Sequence, residues 1–294
     1  MAHKTSLYDK LFTACNYLFF LFLGVITLFP FLNLIAKSLS SEEAVISGQV
    51  GLLPVDIQFG TYNFVITDSM FLGAFRNSVI VTVVGTLLGL LMTTMSAYPL
   101  SRARLRGRKW FILLFVFTML FSGGLIPTYL LLSGIGLVNK LPVLFLPAMV
   151  NVFNLLVIKS YFESLPDALE ESAKIDGASN FRIFYGIILP LSMPVLATIA
   201  LFFAVQFWND FFMAMVYISN PELKPLQLYL KELLASANNI FMRTDMIDVN
   251  SAMNASPQAI QAAAIIVATI PIILVYPFLQ KYFVKGVMLG SVKG

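Results

Sequence analysis

Long apolar runs separated by short polar stretches make up nearly the whole chain. Six runs contain no Asp, Glu, Lys, Arg or His: residues 11–36, 77–101, 110–132, 141–158, 183–209 and 257–280. About 20 helical residues cross a hydrocarbon core of roughly 30 Å, so each run is long enough to span a membrane, the fourth only just. Pro190 and Pro194 predict a kink where the fifth run enters the membrane, which puts its span at 187–209. The pattern predicts an all-α, polytopic protein of six transmembrane helices forming a single domain over 1–294. Lys4 and Lys10 ahead of the first run imitate a signal peptide. The run is too long for one and lacks a small-x-small cleavage site, so it reads as a retained span.

The segments between runs differ in kind. Residues 37–76 carry Gly48, Gly51, Pro54 and Gly60, with Tyr62-Asn63-Phe64 leading into a short helix. Residues 210–256 are longer than a hairpin requires, and Leu226, Leu230, Leu233 and Leu234 predict a short amphipathic helix over 225–237. Loops of such length are usually functional, and an external contact surface is the preferred reading over a passive linker. Residues 159–186 form a third, charged segment.

Composition agrees with the pattern: 59% of residues are hydrophobic, 12% are charged and the mean hydropathy is +0.85. Soluble globular chains carry about 25% charged residues. Lys and Arg divide unequally between alternate sides. One side holds Lys4, Lys10, the cluster Arg102 to Lys109, Lys159, Lys174, Arg182, Lys281, Lys285 and Lys293; the other holds Lys37, Arg76, Lys140, Lys224, Lys231 and Arg243. The positive-inside rule places both termini and the 159–186 loop in the cytoplasm, with 37–76 and 210–256 outside. The Arg102 to Lys109 cluster reads as a topology anchor that can also touch anionic headgroups.

Several chemistries are excluded. No Asp, Glu, Lys, Arg or His lies within the runs, so an intramembrane proton relay lacks the groups it normally uses. The single histidine, His3, removes most metal clusters and Ser/His/Asp sets, leaving no catalytic or metal site. The G-x-x-x-x-G-K-[ST] spacing is met nowhere, so the chain does not hydrolyse ATP alone. Basic stretches with interleaved stacking aromatics are absent, which excludes a nucleic-acid surface. Cys15 has no internal disulfide partner and reads as a packing residue.

The polar island around Glu171 to Gly177 stands out. Pro166 suits a helix start, Asp167, Glu170 and Glu171 favour its positive end, and Gly177 suits a left-handed C-cap. A helix over 166–176 puts Asp167, Glu170, Glu171 and Lys174 on one face. Leu165, Ala168, Leu169, Ser172 and Ala173 lie toward the other, where small residues admit another backbone. Beyond the turn, Phe181, Phe184, Tyr185 and Ile188 recur at helical spacing before Leu189-Pro190. The segment is predicted as helix, sharp turn and returning helix.

These residues resemble the E-A-A-x-x-x-G-x(9)-I-x-L-P loop of permease subunits in binding-protein-dependent ABC importers. Glu171, Ala173, Gly177, Ile187, Leu189 and Pro190 fall on its positions, and Ser172 departs from the middle alanine. Asn77-Ser78, Ala97 through Arg102, Ile126-Pro127, Gly136-Leu137, Asp176-Gly177-Ala178, Trp208-Asn209-Asp210 and Gly290 to Gly294 are similar to the carbohydrate-importing, maltose-type subfamily. Within it they resemble the second permease subunit, in the manner of the lipoprotein-fed oligosaccharide importers of Gram-positive bacteria.

The resemblance implies a bacterial cell-membrane importer of oligosaccharide, built from this chain, a second and different permease, two cytoplasmic ATPase subunits and an external sugar-binding lipoprotein. It implies that ATP and Mg bind the ATPase, with no cofactor on this chain. ATPase coupling would fall to Glu170, Glu171, Ser172, Ala173, Asp176, Gly177, Ile187, Leu189 and Pro190, and the tail ending in Lys293-Gly294 would reach between the ATPase subunits. Asn151, Asn154, Gln206, Trp208 and Asn209 are candidates for the substrate path, as amides and an aromatic face suit a sugar. Helix–helix hydrogen bonding and an interfacial role for Trp208 are the competing reading. A stand-alone secondary carrier or facilitator of a small polar solute is the alternative function.

Overall fold

The computed structural model describes residues 7–242 and 257–291. His3, Lys4, residues 243–256 and the Lys293-Gly294 tail lie outside the described residues. The helices, in chain order, are α1 (Leu7–Leu39), α2 (Glu42–Ile46), α3 (Gly60–Thr67), α4 (Ser69–Ser101), α5 (Arg108–Leu120), α6 (Leu125–Gly134), α7 (Val152–Ser164), α8 (Ala168–Ile175), α9 (Asn180–Ile183), α10 (Leu189–Leu191), α11 (Met193–Asn209), α12 (Phe212–Tyr217), α13 (Leu226–Met242) and α14 (Pro257–Ser291).

Three helices are long and apolar enough to cross a membrane by themselves, over Tyr8–Leu39, Ser69–Ser101 and Gln258–Val275. Three further apolar pairs are bent: Arg108–Leu120 with Leu125–Gly134 by 110°, Leu141–Ala148 with Val152–Ser164 by 47°, and Asn180–Leu191 with Met193–Asn209 by 81°. The described chain therefore holds three candidate spans, or up to six if each bent pair is one.

Each bend has a local cause. The run 110–132, expected as one helix, breaks between Leu120 and Leu125 at Gly123-Gly124, where Gly124 takes φ +90. The fourth run begins as two 3-10 turns carrying Pro142 and Pro147 before α7 starts at Val152. The fifth winds as a π-helical turn over Phe184–Ile188, then stops at Ser192 between Pro190 and Pro194.

The chain divides into two compact units, residues 1–68 with 232–270 and residues 69–231 with 271–294. In the first, α1 leaves its apolar surface exposed along most of its length, including Phe12, Phe19 and Phe22. The segment after α1 folds onto a small core of Ala36, Ala44, Val45, Val50 and Ala259. Polar side chains pin it: Asn33 Nδ2 donates to the Gly51 carbonyl at 2.7 Å, and the Val55 N–H donates to Ser40 Oγ at 3.0 Å.

In the second unit α4 is central and packs along α7 and α11. Two glycines on α4 set the closeness of the α11 contact. A Cβ on Gly85 would stand 2.8 Å from the Phe207 ring and 2.9 Å from Phe145 Cβ, and one on Gly89 would stand 3.0 Å from the Phe203 ring. Leu155, Ile158, Phe162, Ile183, Ile188, Ile199 and Phe203 are wholly buried around them. At the other end of α4, Asn77 Nδ2 donates to the Glu222 carbonyl at 2.7 Å and the Leu226 N–H donates to Ser78 Oγ at 2.8 Å, which fixes the start of α13.

Candidate functional site

The island occupies the turn between α7 and α11, against the last turn of α4. Helix α8 ends in a Schellman motif: the Ala178 N–H reaches the Ala173 carbonyl at 2.9 Å and the Gly177 N–H reaches the Lys174 carbonyl at 3.0 Å. Gly177 takes φ +77 with no other atom near the place of a Cβ, so its requirement is conformational rather than steric. Ser179 then caps α9 by accepting the Arg182 N–H.

The polar face expected on this helix is divided. Asp167, Glu171 and Lys174 are exposed, but Glu170 is only 4% exposed. Helix α8 starts at Ala168, and Leu169, Glu170 and Ala173 turn toward α4 and α7 because cations await the carboxylate there. Tyr98 Oη donates to Glu170 Oε1 at 2.9 Å. Arg102 Nε lies 2.7 Å from the same oxygen, and Arg104 Nη1 and Lys174 Nζ lie 3.4 Å and 3.6 Å from Glu170 Oε2. Burying one charge alone costs several kcal/mol; here the acid is met by a phenol and three cations, which offsets that penalty.

The supporting contacts extend outward from this cluster. The Arg102 guanidinium stands 5.2 Å from the Tyr98 ring centre. Tyr98 meets Phe162 of α7 edge-on at 6.2 Å and Phe184 of the π turn at 4.9 Å. Arg104 Nη2 donates to Asn180 Oδ1 at 3.0 Å, and Arg108 donates to the Leu100 carbonyl at 2.7 Å while pairing with Glu163. The arginines read from sequence as a topology anchor thus also lock the loop to α4.

What remains outward on α8 is a stripe of Ala168, Glu171, Ser172 and Ile175, at i, i+3, i+4 and i+7. Ile175 is 86% exposed. Asp176 and Gly177 are exposed at the tip, whereas Ala173, grouped with the small residues for an approaching backbone, is buried within this chain. Ile187 and Leu189 are half-buried against the core and Pro190 is exposed. The face expected from Phe181, Phe184, Tyr185 and Ile188 does not survive intact: Phe184 and Ile188 are buried while Phe181 and Tyr185 are exposed. Ile183, wholly buried, and Ile187, half-buried, join Phe184 and Ile188 on the inward side instead.

The substrate-path candidates fall at two levels. Asn151 caps α7 by accepting the Asn154 N–H at 3.1 Å, and Asn154 is buried. Just before them the Met149 carbonyl accepts from Thr93 on α4. Phe207, beside Gln206 and Trp208, instead meets Gly85. Eight residues of α4 separate these levels, about 12 Å at 1.5 Å per residue. Gln206 and Asn209 are exposed, Asn209 donating to the Val205 carbonyl, while buried Trp208 meets Phe75 edge-on at 6.0 Å. Sequence reading missed the threonines that flank Gly85 on α4. Thr82 Oγ1 and Thr86 Oγ1 are buried without a hydrogen-bond partner among the described residues, as is Trp208 Nε1.

Just past α11, burial pushes the Asp210 carboxyl above the usual carboxylate range, and backbone N–H groups of Met213 and Phe212 pull it partly back.

Comparison with known proteins places this architecture. The polygalacturonan/rhamnogalacturonan transport system permease protein YtcP of Bacillus subtilis (strain 168) is 41% identical over 286 residues, 97% of this chain and 99% of that protein. Protein LplC of the same organism is 44% identical over 296 residues, 99% of this chain and 98% of that protein. A crystal structure of a bacterial ABC transporter involved in the import of the acidic polysaccharide alginate contains a chain that superposes with a TM-score of 0.87. It shares 34% identity and covers 96% of this chain and 100% of that one. The family described as binding-protein-dependent transport system inner membrane component matches residues 69–289. The chain is a member of that family, a membrane permease component of an ABC importer and not an enzyme.

Proposed function

We propose that this permease passes an oligosaccharide, delivered by an external binding lipoprotein, across a bacterial cell membrane. It would work beside a second, different permease and be driven by a dimer of ATPase subunits that dock on the 165–190 loop. The carbohydrate assignment is supported by relatives whose names specify transport of polygalacturonan/rhamnogalacturonan and arabinooligosaccharides. With family membership established, a stand-alone carrier is not favoured.

One observation carries the coupling assignment: α8 is locked by Glu170 on its inner side and exposed on its outer side. A lever must be rigid toward the helices it moves and accessible to the chain that moves it. The buried ion pairs supply the first property, and the Ala168, Glu171, Ser172, Ile175 stripe supplies the second. Small residues in this stripe let another backbone approach, Ile175 offers apolar area, and Glu171 offers charge for a basic group on the ATPase. Both termini and the loop lie in the cytoplasm by the distribution of Lys and Arg.

Thr82, Thr86 and Trp208 supply hydroxyl and N–H groups able to bond sugar hydroxyls, near the level of Gln206. The test is Glu171→Lys in the assembled transporter reconstituted in liposomes. Uptake and substrate-stimulated ATP hydrolysis should fall together while the permease remains in the membrane. Full uptake in that variant would overturn the coupling role.

A further inference from the structure

The end of α4, residues 102–106 and the start of α9 line an open cavity of about 510 Å³ next to the Glu170 cluster. Arg102, Arg104 and Arg106 line it. Their positive charge exceeds what faces it: Glu170 answers Arg102 and Arg104, and Asp167 approaches Arg102 only to 3.7 Å from an exposed position. Arg106 forms no ion pair among the described residues. The second observation is Arg102 Nη2. The residue is more than nine-tenths buried, and this nitrogen has no hydrogen-bond partner among the described residues. A buried guanidinium N–H without an acceptor is costly, and a small shift of Arg102 toward the cavity would let a bound anion supply one.

The remaining walls define what kind of anion fits. Met95 and Phe181 present exposed apolar surface, and Leu105 is half-buried. Met95 belongs to a membrane-length apolar helix, and exposed Trp110, four residues after Arg106, lies in the first turn of α5. Arginine and tryptophan at span ends occupy the headgroup level of a bilayer. A fully hydrated anion would use the arginines and leave the apolar wall idle. A phosphodiester with an attached acyl chain uses both.

We infer that this cavity binds the phosphate group of an anionic membrane lipid, with the guanidinium groups of Arg102, Arg104 and Arg106 donating to its oxygens and an acyl chain lying along Met95. The bound anion completes the hydrogen bonding of Arg102 and thereby supports the same arginine that holds Glu170. The inference does not depend on which solute the transporter carries.

The test uses the intact transporter complex, purified in mild detergent and examined by native mass spectrometry before and after exposure to phosphatidylglycerol vesicles. Wild type should retain phosphatidylglycerol and rebind it after delipidation, in preference to phosphatidylcholine. Arg106→Gln should lower retention about fivefold, as loss of one headgroup-facing charge implies. Arg182→Gln, which removes an exposed charge outside the cavity, should leave retention unchanged. Arg104→Gln provides a second cavity variant. Equal retention in Arg106→Gln, Arg104→Gln and wild type would overturn the site. Displacement of the lipid by millimolar inorganic phosphate would reassign it to a soluble phosphate and overturn the lipid source. Loss of an ATPase subunit from Arg106→Gln with lipid retention intact would make the arginines a protein contact and equally overturn it.

Discussion

The Glu170 carboxylate and the Arg102 guanidinium lie 2.7 Å apart at a point where both side chains are more than nine-tenths buried. The contact joins the short loop helix α8 to the end of the long helix α4. Removing one partner leaves an uncompensated buried charge, which typically costs about 3–5 kcal/mol, whereas removing both costs less. Glu170→Ala and Arg102→Ala should each lower the thermal midpoint of the purified complex by several degrees. The double variant should be less destabilised than the sum of the singles. Strict additivity in this cycle would show that the two groups do not act as a pair.

Gly177 tests conformation apart from space. With φ +77 and open surroundings, a side chain meets strain only from its own backbone, about 1–2 kcal/mol for an ordinary L-residue. Gly177→Val should therefore impair uptake more than Gly177→Asn, since asparagine tolerates the left-handed region. Equal loss in the two would point to a steric contact instead.

Glycines on α4 should separate by position along the helix. Gly85→Ala must displace Phe145 Cβ or the Phe207 ring, and overpacking of this kind costs about 1–3 kcal/mol. Gly73→Ala, on the same helix with nothing nearby, should be neutral or stabilising by about 0.5–1 kcal/mol. Thermal unfolding of the two variants in detergent reads the difference directly.

Asp210 gives a pH-dependent expectation. Its folded-state pKa is raised by burial, so ionisation is disfavoured in the folded chain: the penalty is absent below the ordinary carboxylate range and complete above the folded value. Asp210→Asn keeps an oxygen able to accept the Met213 N–H, which Asp210 accepts at 3.0 Å. The variant should match wild type near pH 4 and become the more stable of the two toward pH 7. A difference that shrinks over that interval would contradict the assignment.

Much of this architecture was legible from apolar run lengths, because lipid-crossing helices must satisfy their own backbone and be long. The left-handed Gly177 and the amphipathic α13 were likewise readable from local chemistry. The breaks were legible only in part. Pro190 and Pro194 announced the fifth bend, but the π turn at Phe184–Ile188, between buried Ile183 and Ile188, has no marker in the sequence spacing.

The fate of Glu170 was hidden for a related reason. Adjacent glutamates on a short helix look alike, and only the approach of Tyr98, 72 residues earlier, decides which turns inward. The clue lay in the arginines after α4, which a buried acid needs and which had a sufficient explanation as a topology anchor. Thr82 and Thr86 left no clue, since threonine in a membrane helix ordinarily bonds its own backbone.

The central claim is that α8 faces its driving ATPase with the Ala168, Glu171, Ser172, Ile175 stripe while Glu170 faces inward. Placing a photo-crosslinking side chain at Ile175, and separately at Gly73 on the opposite end of α4, in the assembled transporter tests this most directly. The account predicts a covalent adduct with the ATPase subunit from position 175, altered in yield by ATP, and none from position 73. A folded, assembled transporter that forms no ATPase adduct from position 175 would contradict it.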